Sequence, residues 1–294
     1  MHTSRSADGL VVVGYDGSPA SQRALVWAAG VSRALGAALK IIHAVELDLV
    51  PSRRGYALRP LNPSLEMVAE TMVGGPSTWP GEPLARSRVR AVHAFGGPTA
   101  ELVDASMTAD LVVLGTRGRG RARSALLGSV SSEVAARAYC PVVVLHGLAH
   151  APPRGSRRDV LVPGPEREVV CAVKAGAADA GASRLERIVS AAARLASGCS
   201  APLRIVTVRE GAAEDPSAAS RSYAADVLAL RHPDLPMTAQ TLLGDPVELL
   251  TRTSRDSGLL VVGAPHDSGV AAVLAGTPAY RIIHDATCPV MLVH

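Results

Sequence analysis

The chain repeats one pattern at a fixed offset, and this duplication limits the folds open to it. The matched positions, 148 residues apart, are Gly97-Pro98 and Asp245-Pro246, Gly115 and Gly263, Gly128 and Gly276, and Cys140-Pro141-Val142 and Cys288-Pro289-Val290. A chain of 294 residues then divides into two domains of a common size for a single core. We expect residues 1–147 to form one domain, the Pro- and Arg-rich residues 148–167 a linker, and residues 168–294 a second domain, each able to fold alone.

Composition narrows the fold class. Hydrophobic residues make up 48% of the chain, yet it has one Phe and two Trp, which favours parallel sheet and helix over an aromatic-rich sandwich.

The net charge of +4 is modest, so nucleic acid is an unlikely partner despite arginine clusters at 117–123 and 154–158. The four cysteines lack metal-type spacing, which indicates reduced, structural thiols. The sequence shows neither a membrane span of about 20 apolar residues nor a signal core, so we expect a cytoplasmic protein without membrane contact.

Apolar runs and helix signals alternate along each half. In the first half they predict strands over 10–14, 39–45, 89–94, 111–114 and 141–146, and helices from Pro19 to Gly36 and over 63–72, 99–107 and 130–138. In the second half they predict a strand over 168–173, a helix over 181–197, a strand over 203–208 and a final helix and strand near 278–294. The order predicts an α/β fold of two tandem, doubly wound domains, with ligands at the carboxyl ends of the strands.

A glycine-rich segment follows the predicted strand over 111–114. It reads Gly115-x2-Gly118-x9-Gly128-Ser129, with Ser129 at a predicted helix start. Glycines let backbone N–H groups approach a ligand, and a helix amino terminus offers unpaired donors and partial positive charge. An ordinary strand-to-helix turn has the same outline, but the flanking elements, Asp16 and the repeat favour a phosphate site.

These motifs, with Val13-Gly14-Tyr15-Asp16-Gly17-Ser18 and Cys140-Pro141-Val142, resemble the universal stress protein family over both halves of the chain. In the ATP-binding branch of that family, the glycine segment holds ribose and phosphates, and an aspartate after the first strand contacts the nucleoside. The resemblance implies ATP, with or without Mg²⁺, and places it at Asp16, Gly115, Gly118, Gly128 and Ser129. It also places Ala44, which follows His43, near the adenine.

The resemblance further implies a five-stranded parallel sheet in each half, with helices on both faces. The halves would pair through their last strands as an internal pseudo-dimer, and two chains could pair again as a homodimer. Asp16 also has a structural interpretation, because an Asp between a strand and a helix commonly stabilises the turn and a capping residue such as Ser18. Both roles can hold together.

The second half departs from the pattern where the ligand would lie. The segment 169–175 has no aspartate in the place of Asp16, and His266 stands at the middle glycine. A Cβ and an imidazole at that position obstruct a close backbone approach. The arginines of 117–123 also have no counterpart there. We therefore predict one nucleotide site per chain, although those arginines can also be read as a solvated loop.

The sequence does not indicate catalysis. It has no Walker pattern, no Gly-x-Ser-x-Gly elbow and no His-Glu-x-x-His pair, and its histidines lie apart from the carboxylates and thiols that a metal site needs. Our first hypothesis is an ATP-binding stress-response protein that signals to an unidentified protein partner. The alternatives are an interaction scaffold of the same fold that binds no nucleotide, and a slow ATP hydrolase.

Overall fold

A computed structural model describes residues 9–45, 49–52, 55–58, 68–70, 84–116, 128–145, 162–174, 182–209, 228, 231–264 and 277–294. The strands in this part of the chain are β1 Leu10–Gly14, β2 Ala38–Val45, β3 Leu49–Ser52, β4 Gly55–Leu58, β5 Val89–Phe95, β6 Leu111–Gly115, β7 Val142–Leu145, β8 Val169–Lys174, β9 Leu203–Arg209, β10 Met237–Leu243, β11 Leu259–Gly263 and β12 Val290–Val293. The α-helices are α1 Pro19–Ala34, α2 Pro98–Ser106, α3 Ser129–Arg137, α4 Ala182–Gly198, α5 Pro246–Thr253 and α6 Pro278–Asp285, and a 3₁₀ turn spans Arg86–Arg88.

Ten of these strands form one sheet in the order β10-β9-β8-β11-β12-β7-β6-β1-β2-β5. The five strands of each half are parallel to one another. The halves meet where β12 pairs antiparallel with β7, with Met291 opposite Val143. The α/β fold of two tandem, doubly wound units is therefore confirmed, and the last strands pair as the resemblance implied.

Helices cover both faces of the sheet. Helices α1 and α4 pack on one face, and α2, α3, α5 and α6 pack on the other. Each face has a single hydrophobic cluster that contains residues of both halves. Strands buried on both sides need continuous apolar runs, and β6, Leu111–Gly115, and β11, Leu259–Gly263, are of this type. The core thus continues through the junction instead of ending at a domain boundary.

The segment between β2 and β5 differs from the prediction. It contains an antiparallel hairpin of β3 and β4, in which Leu49 pairs with Leu58. Of the helix predicted over 63–72, residues 68–70 are described and are helical. The hairpin has no two-residue Gly turn signal, and Pro51 lies within its first strand, so the pattern did not indicate strands.

The predicted linker over 148–167 is only partly described. Its last residues pack against the core, because Val162 lies against α1 and Pro163 is buried. A backbone bridge between Gly164 and Arg167 then leads into β8. Within residues 162–167, Val162 and Pro163 thus pack on the core, whereas Pro165 and Glu166 are exposed, as expected for a connector. Residues 146–161 and the first eight residues lie outside the described part, and the domain boundary stays a prediction.

Candidate functional site

The strand order of the first half reverses between β1 and β6. These two strands are neighbours, but the chain continues from β1 to β2 on one side and from β6 to β7 on the other. In open α/β sheets, the carboxyl ends at such a point form a crevice that binds ligands. Asp16 follows β1 and Gly115 ends β6, so two of the predicted site residues lie at this crevice.

Asp16 organises the turn into α1. Its Oδ1 accepts a hydrogen bond from the backbone N–H of Ser18 at 2.9 Å. Ser18 is the N-cap of α1, and its Oγ accepts from the N–H of Ser21 at 3.2 Å. Gly17 between them has φ 79°, a left-handed conformation that favours glycine. The structural role expected for Asp16 is therefore present, and its carboxylate is held at the crevice.

Ala44 lies on β2, beside the end of β1. The backbone N–H of Tyr15 donates to the carbonyl oxygen of Ile42 at 2.9 Å, which extends the β1–β2 contact past Gly14. His43 Nδ1 lies 2.6 Å from the carbonyl oxygen of Tyr15. Since neighbouring strand residues point to opposite faces, the half-buried Ala44 faces the other side of the sheet from His43. The imidazole contacts the backbone next to Asp16.

Gly115 is required by packing as well as by the loop. A Cβ at this position would lie 2.7 Å from the backbone carbon and 2.8 Å from the carbonyl oxygen of Ala20, in the first turn of α1. Real Cβ atoms essentially never come this close to backbone, so a side chain would push α1 away from β6. The sequence predicted that Gly115 lets a ligand approach the backbone. In the structure, helix α1 packs against this glycine.

Thr116 closes the glycine segment, and sequence reasoning did not identify it. Its N–H donates to the carbonyl oxygen of Leu145 at 2.8 Å, and its own carbonyl oxygen accepts from the N–H of Gly128 at 2.7 Å. The two ends of the segment are thus joined at a buried threonine. Gly118 and the arginines of 117–123 lie between these ends, outside the described residues.

The amino end of α3 lacks a side-chain cap. Gly128 is its N-cap and has no side chain to accept from the first amides, and Ser129, the first helical residue, is exposed. Ser131 Oγ is directed to the carbonyl oxygen of Gly128 at 3.0 Å. The first amides of a helix have no partner within the helix. Within the described part of the chain, this electropositive helix end therefore has no side-chain cap, and it lies at the same edge of the sheet as Asp16.

Residues 10–146 match the family model described as the universal stress protein family. Residues 10–146 are a universal stress protein domain, and the whole chain is similar to universal stress proteins over nearly its full length. It is 28% identical over 287 residues to a universal stress protein of Mycobacterium bovis, covering 96% of both chains. It is 29% identical over 311 residues to a universal stress protein of Mycobacterium tuberculosis, covering 99% of this chain and 98% of the relative.

Solved structures share the fold over nearly the whole chain. A universal stress protein from Archaeoglobus fulgidus superimposes with a TM-score of 0.62 at 16% identity, covering 97% of this chain and 95% of that one. A protein described as a universal stress protein from Pseudomonas aeruginosa gives a TM-score of 0.61 at 17% identity, covering 98% and 93%. These similarities place both halves of the chain within one two-part universal stress protein fold.

The corresponding helices of the second half supply their own caps. Asp245 Oδ1 accepts from the N–H of Glu248 at 2.9 Å at the start of α5, where α2 begins with the uncapped Gly97. Thr277 Oγ1 accepts from the N–H of Tyr280 at 3.2 Å at the start of α6. A carboxylate and a hydroxyl thus occupy helix ends that the first half leaves to glycine. His266 and Gly276 lie outside the described residues.

The cysteines are free, buried thiols. Burial raises the pKa of Cys171 and of Cys288 to about 12 and that of Cys199 to about 11, so these thiols stay protonated at neutral pH. Within the described residues, no group of three or more His, Cys, Asp or Glu side chains is arranged to hold a metal ion. The described helices include none that is long and apolar enough to cross a membrane.

Proposed function

We propose that this universal stress protein binds ATP at the β1–β6 crevice of its N-terminal half and acts as a nucleotide-dependent signalling protein in a stress response. The observation that carries this proposal is the uncapped amino end of α3, at the same edge of the sheet as the Asp16 carboxylate. Helix amino ends bind phosphate through their free amides and positive partial charge. The carboxylate can accept hydrogen bonds from a ribose hydroxyl or a base amine.

Each predicted residue has a role in this proposal. Asp16 contacts the nucleoside, Ala44 lies near the adenine, and Ser129 with the amide of the first turn of α3 contacts phosphate. Gly115 allows α1 to pack against β6, and Gly128 leaves the helix end uncapped. Gly118 allows the glycine segment to approach the ribose and phosphates, and Mg²⁺, where present, accompanies the phosphates.

The asymmetry between the halves supports one site per chain. In the second half, Thr277 caps α6, the counterpart of α3, so its hydroxyl already accepts from an amide that a phosphate would need. The nucleotide-dependent signal would then come from the first half of the chain only. An unidentified protein partner would recognise the occupied state, which requires that ATP bind two states of the molecule with different affinity.

The same capped helix ends favour an alternative, in which the fold serves as an interaction scaffold and neither half binds nucleotide. The two proposals differ in a thermal unfolding experiment with ATP, AMP and cyclic AMP. At about 100 times its dissociation constant, a ligand adds roughly 2.7 kcal/mol to the unfolding free energy. ATP should raise the midpoint of the wild-type protein but not that of a folded Gly118→Glu variant. An unchanged midpoint with all three nucleotides would support the scaffold.

A further inference from the structure

A cleft of about 280 Å³ lies at the junction of the two halves. One wall is a stripe of α4 in the second half, formed by Arg187, Ser190, Ala191, Arg194 and Leu195. The facing wall is formed by residues at the amino ends of β6 and β7 in the first half. The end of β12 closes the cleft with Met291, Val293 and His294. Because β6 starts at this cleft and ends at the nucleotide crevice, the two sites lie at opposite edges of the sheet.

The described lining contains two arginines and one aspartate. Arg194 Nη2 pairs with Asp110 Oδ1 at 3.0 Å, and the Arg194 side chain is still 51% exposed. Asp110 Oδ2 also accepts from the N–H of Leu10 at 2.8 Å, so this carboxylate is shared. Arg187 is exposed, and its Nε donates to the backbone oxygen of His294 at 2.9 Å. Two guanidinium groups with remaining N–H donors therefore border the cleft beside one carboxylate.

The interior of the cleft is apolar. Leu111, Leu195 and Met291 are buried and form its inner surface, while Tyr139, at 70% exposure, stands at its rim. Ser190 Oγ is buried in the lining and has no hydrogen-bond partner among the described residues. Unpaired buried polar atoms are rare in native proteins and often mark a place where a ligand or water belongs. The lining thus combines an apolar floor, one buried hydroxyl that lacks a partner and cations at the entrance.

The repeated fold shows that the equivalent space need not be open. Val11 pairs with Leu39, and Val169 pairs with Leu203, so these strand pairs correspond between the halves. By the same alignment Gly30 of α1 corresponds to Arg194 of α4, and Gly258 corresponds to Asp110. These equivalences let the two sides of the junction be compared residue by residue.

On the other side of the junction, the chain itself fills the space. Val162 comes so close to Gly30 that a Cβ there would lie 2.7 Å from Val162 Cγ2. Pro163 fills the corresponding place beside Gly258, where a Cβ would lie 2.9 Å from the Pro163 Cα. Because Gly30 and Gly258 have no side chains, Val162 and Pro163 can pack against them on that side. Arg194 and Asp110 replace them here and leave a charged, open cleft.

We propose that this junction cleft binds a small organic anion that carries an apolar body. The acid group would lie between Arg187 and Arg194, where charge-assisted hydrogen bonds are available. The apolar body would pack on Leu195 and Met291, with the Tyr139 ring at the entrance. The volume is near the lower end of the usual range for ligand pockets, about 300–1,000 Å³, and fits a molecule of one or two rings better than a nucleoside triphosphate. This site is separate from the nucleotide crevice and contacts both halves.

The test is a fluorescence titration of the full chain with naphthalene-1-sulfonate, a fluorescent dye anion whose apolar body has two rings. The wild-type protein should bind one molecule per chain, and saturating ATP should not displace it. Arg187→Gln, which removes an exposed guanidinium, should weaken binding about tenfold, since a hydrogen bond to a charged group is lost. Ala191→Trp should abolish binding by filling the cleft. Arg255→Gln, an exposed arginine away from the lining, is the matched control and should bind as wild type does.

Several results would overturn the proposal. These are the absence of saturable binding, full affinity in a folded Ala191→Trp variant, or displacement of the dye by ATP. If Ala191→Trp does not fold, as judged by circular dichroism, Arg187→Gln decides the matter, because Arg187 is exposed and its replacement leaves the core intact. Equal affinity of Arg187→Gln and Arg255→Gln would show that the dye binds elsewhere. The methyl NMR signal of Met291 should shift on binding in the wild-type protein only if the dye occupies the cleft.

Discussion

At the scale of single residues, Gly115 is a glycine that close packing requires, whereas Gly97 is one that it does not. A Cβ at Gly115 would collide with the backbone of Ala20, whereas a Cβ at Gly97 would meet nothing within 4 Å. Gly115→Ala should therefore lower the unfolding free energy by about 1–3 kcal/mol, the usual cost of overpacking. Gly97→Ala is the control without a clash and should cost less, about 0.5–1 kcal/mol, because Ala is a poorer N-cap than Gly. Urea denaturation measures both, and equal stability of the two variants would contradict the packing role of Gly115.

His294 makes stability depend on pH. Burial lowers its pKa, and the neighbouring Arg184 lowers it further, while the Ala135 carbonyl acts in the opposite direction. The unfolded chain then binds the proton more readily than the folded one. The contribution is fully present above the ordinary histidine pKa of about 6.5 and is lost as pH falls through the lower folded value. His294→Gln should reduce the loss of stability between pH 7.5 and 5.5 in urea denaturation. An unchanged pH dependence would contradict this account.

The sequence identified most residues of the candidate site, but it did not show which residues they contact. Asp16 and Ser18 stood out because a strand, a turn and a helix cap follow one another along the chain. Thr116 gave no signal, because its role consists of backbone hydrogen bonds to Leu145 and Gly128, which are distant in sequence. The sequence identified Gly115, but it did not show the contact with Ala20 of α1 that requires a glycine there.

At the scale of elements, the amino ends of the helices distinguish the two halves. Thr277 caps α6 through its hydroxyl, whereas Ser129 lies one position inside α3 and is exposed. Thr277→Ala should cost about 0.5–2 kcal/mol, as loss of an N-cap usually does. Ser129→Ala should leave the unfolding free energy nearly unchanged. Chemical denaturation of the two variants provides the comparison, and a large loss for Ser129→Ala would show that this serine stabilises the fold.

The elements themselves were predictable to different degrees. Strands buried on both faces, such as β1 and β6, are continuous apolar runs, and their bounds agree with prediction to within a residue. The hairpin of β3 and β4 was missed because its pairing is local to an insertion that has no alternating pattern. In the second half, β10 was not assigned individually, since its residues are mostly part-exposed or polar at the edge of the sheet.

At the scale of the whole molecule, the halves share one sheet and two continuous cores. Val142, Val143 and Val144 of β7 are fully buried at the junction with β12. Residues 1–147 alone would expose this strand edge, and an open apolar edge readily pairs with another copy. We expect this half-chain to self-associate, as measured by light scattering after size-exclusion chromatography. A monomeric half-chain that unfolds cooperatively would support the earlier expectation that each half folds alone.

The junction itself was beyond sequence reasoning. The cleft is lined by residues from Leu35 to His294, which belong to five separate parts of the chain, and only the pairing of β7 with β12 brings them together. The repeat predicted two similar units. It could not show that α1 packs against Val162 while α4 faces an open space, because that difference depends on Gly30 and Arg194 at one equivalent position.

The central claim is that only the first half binds adenine nucleotide, and calorimetric titration of the full chain with ATP tests it most directly. Asp16→Asn retains a side-chain oxygen for the Ser18 N–H but removes the charge, and Asp245→Asn makes the same change at the cap of α5. We predict one ATP per chain for the wild type and for Asp245→Asn, and a strongly reduced affinity for a folded Asp16→Asn. Two sites per chain, or unchanged affinity in Asp16→Asn, would contradict the account.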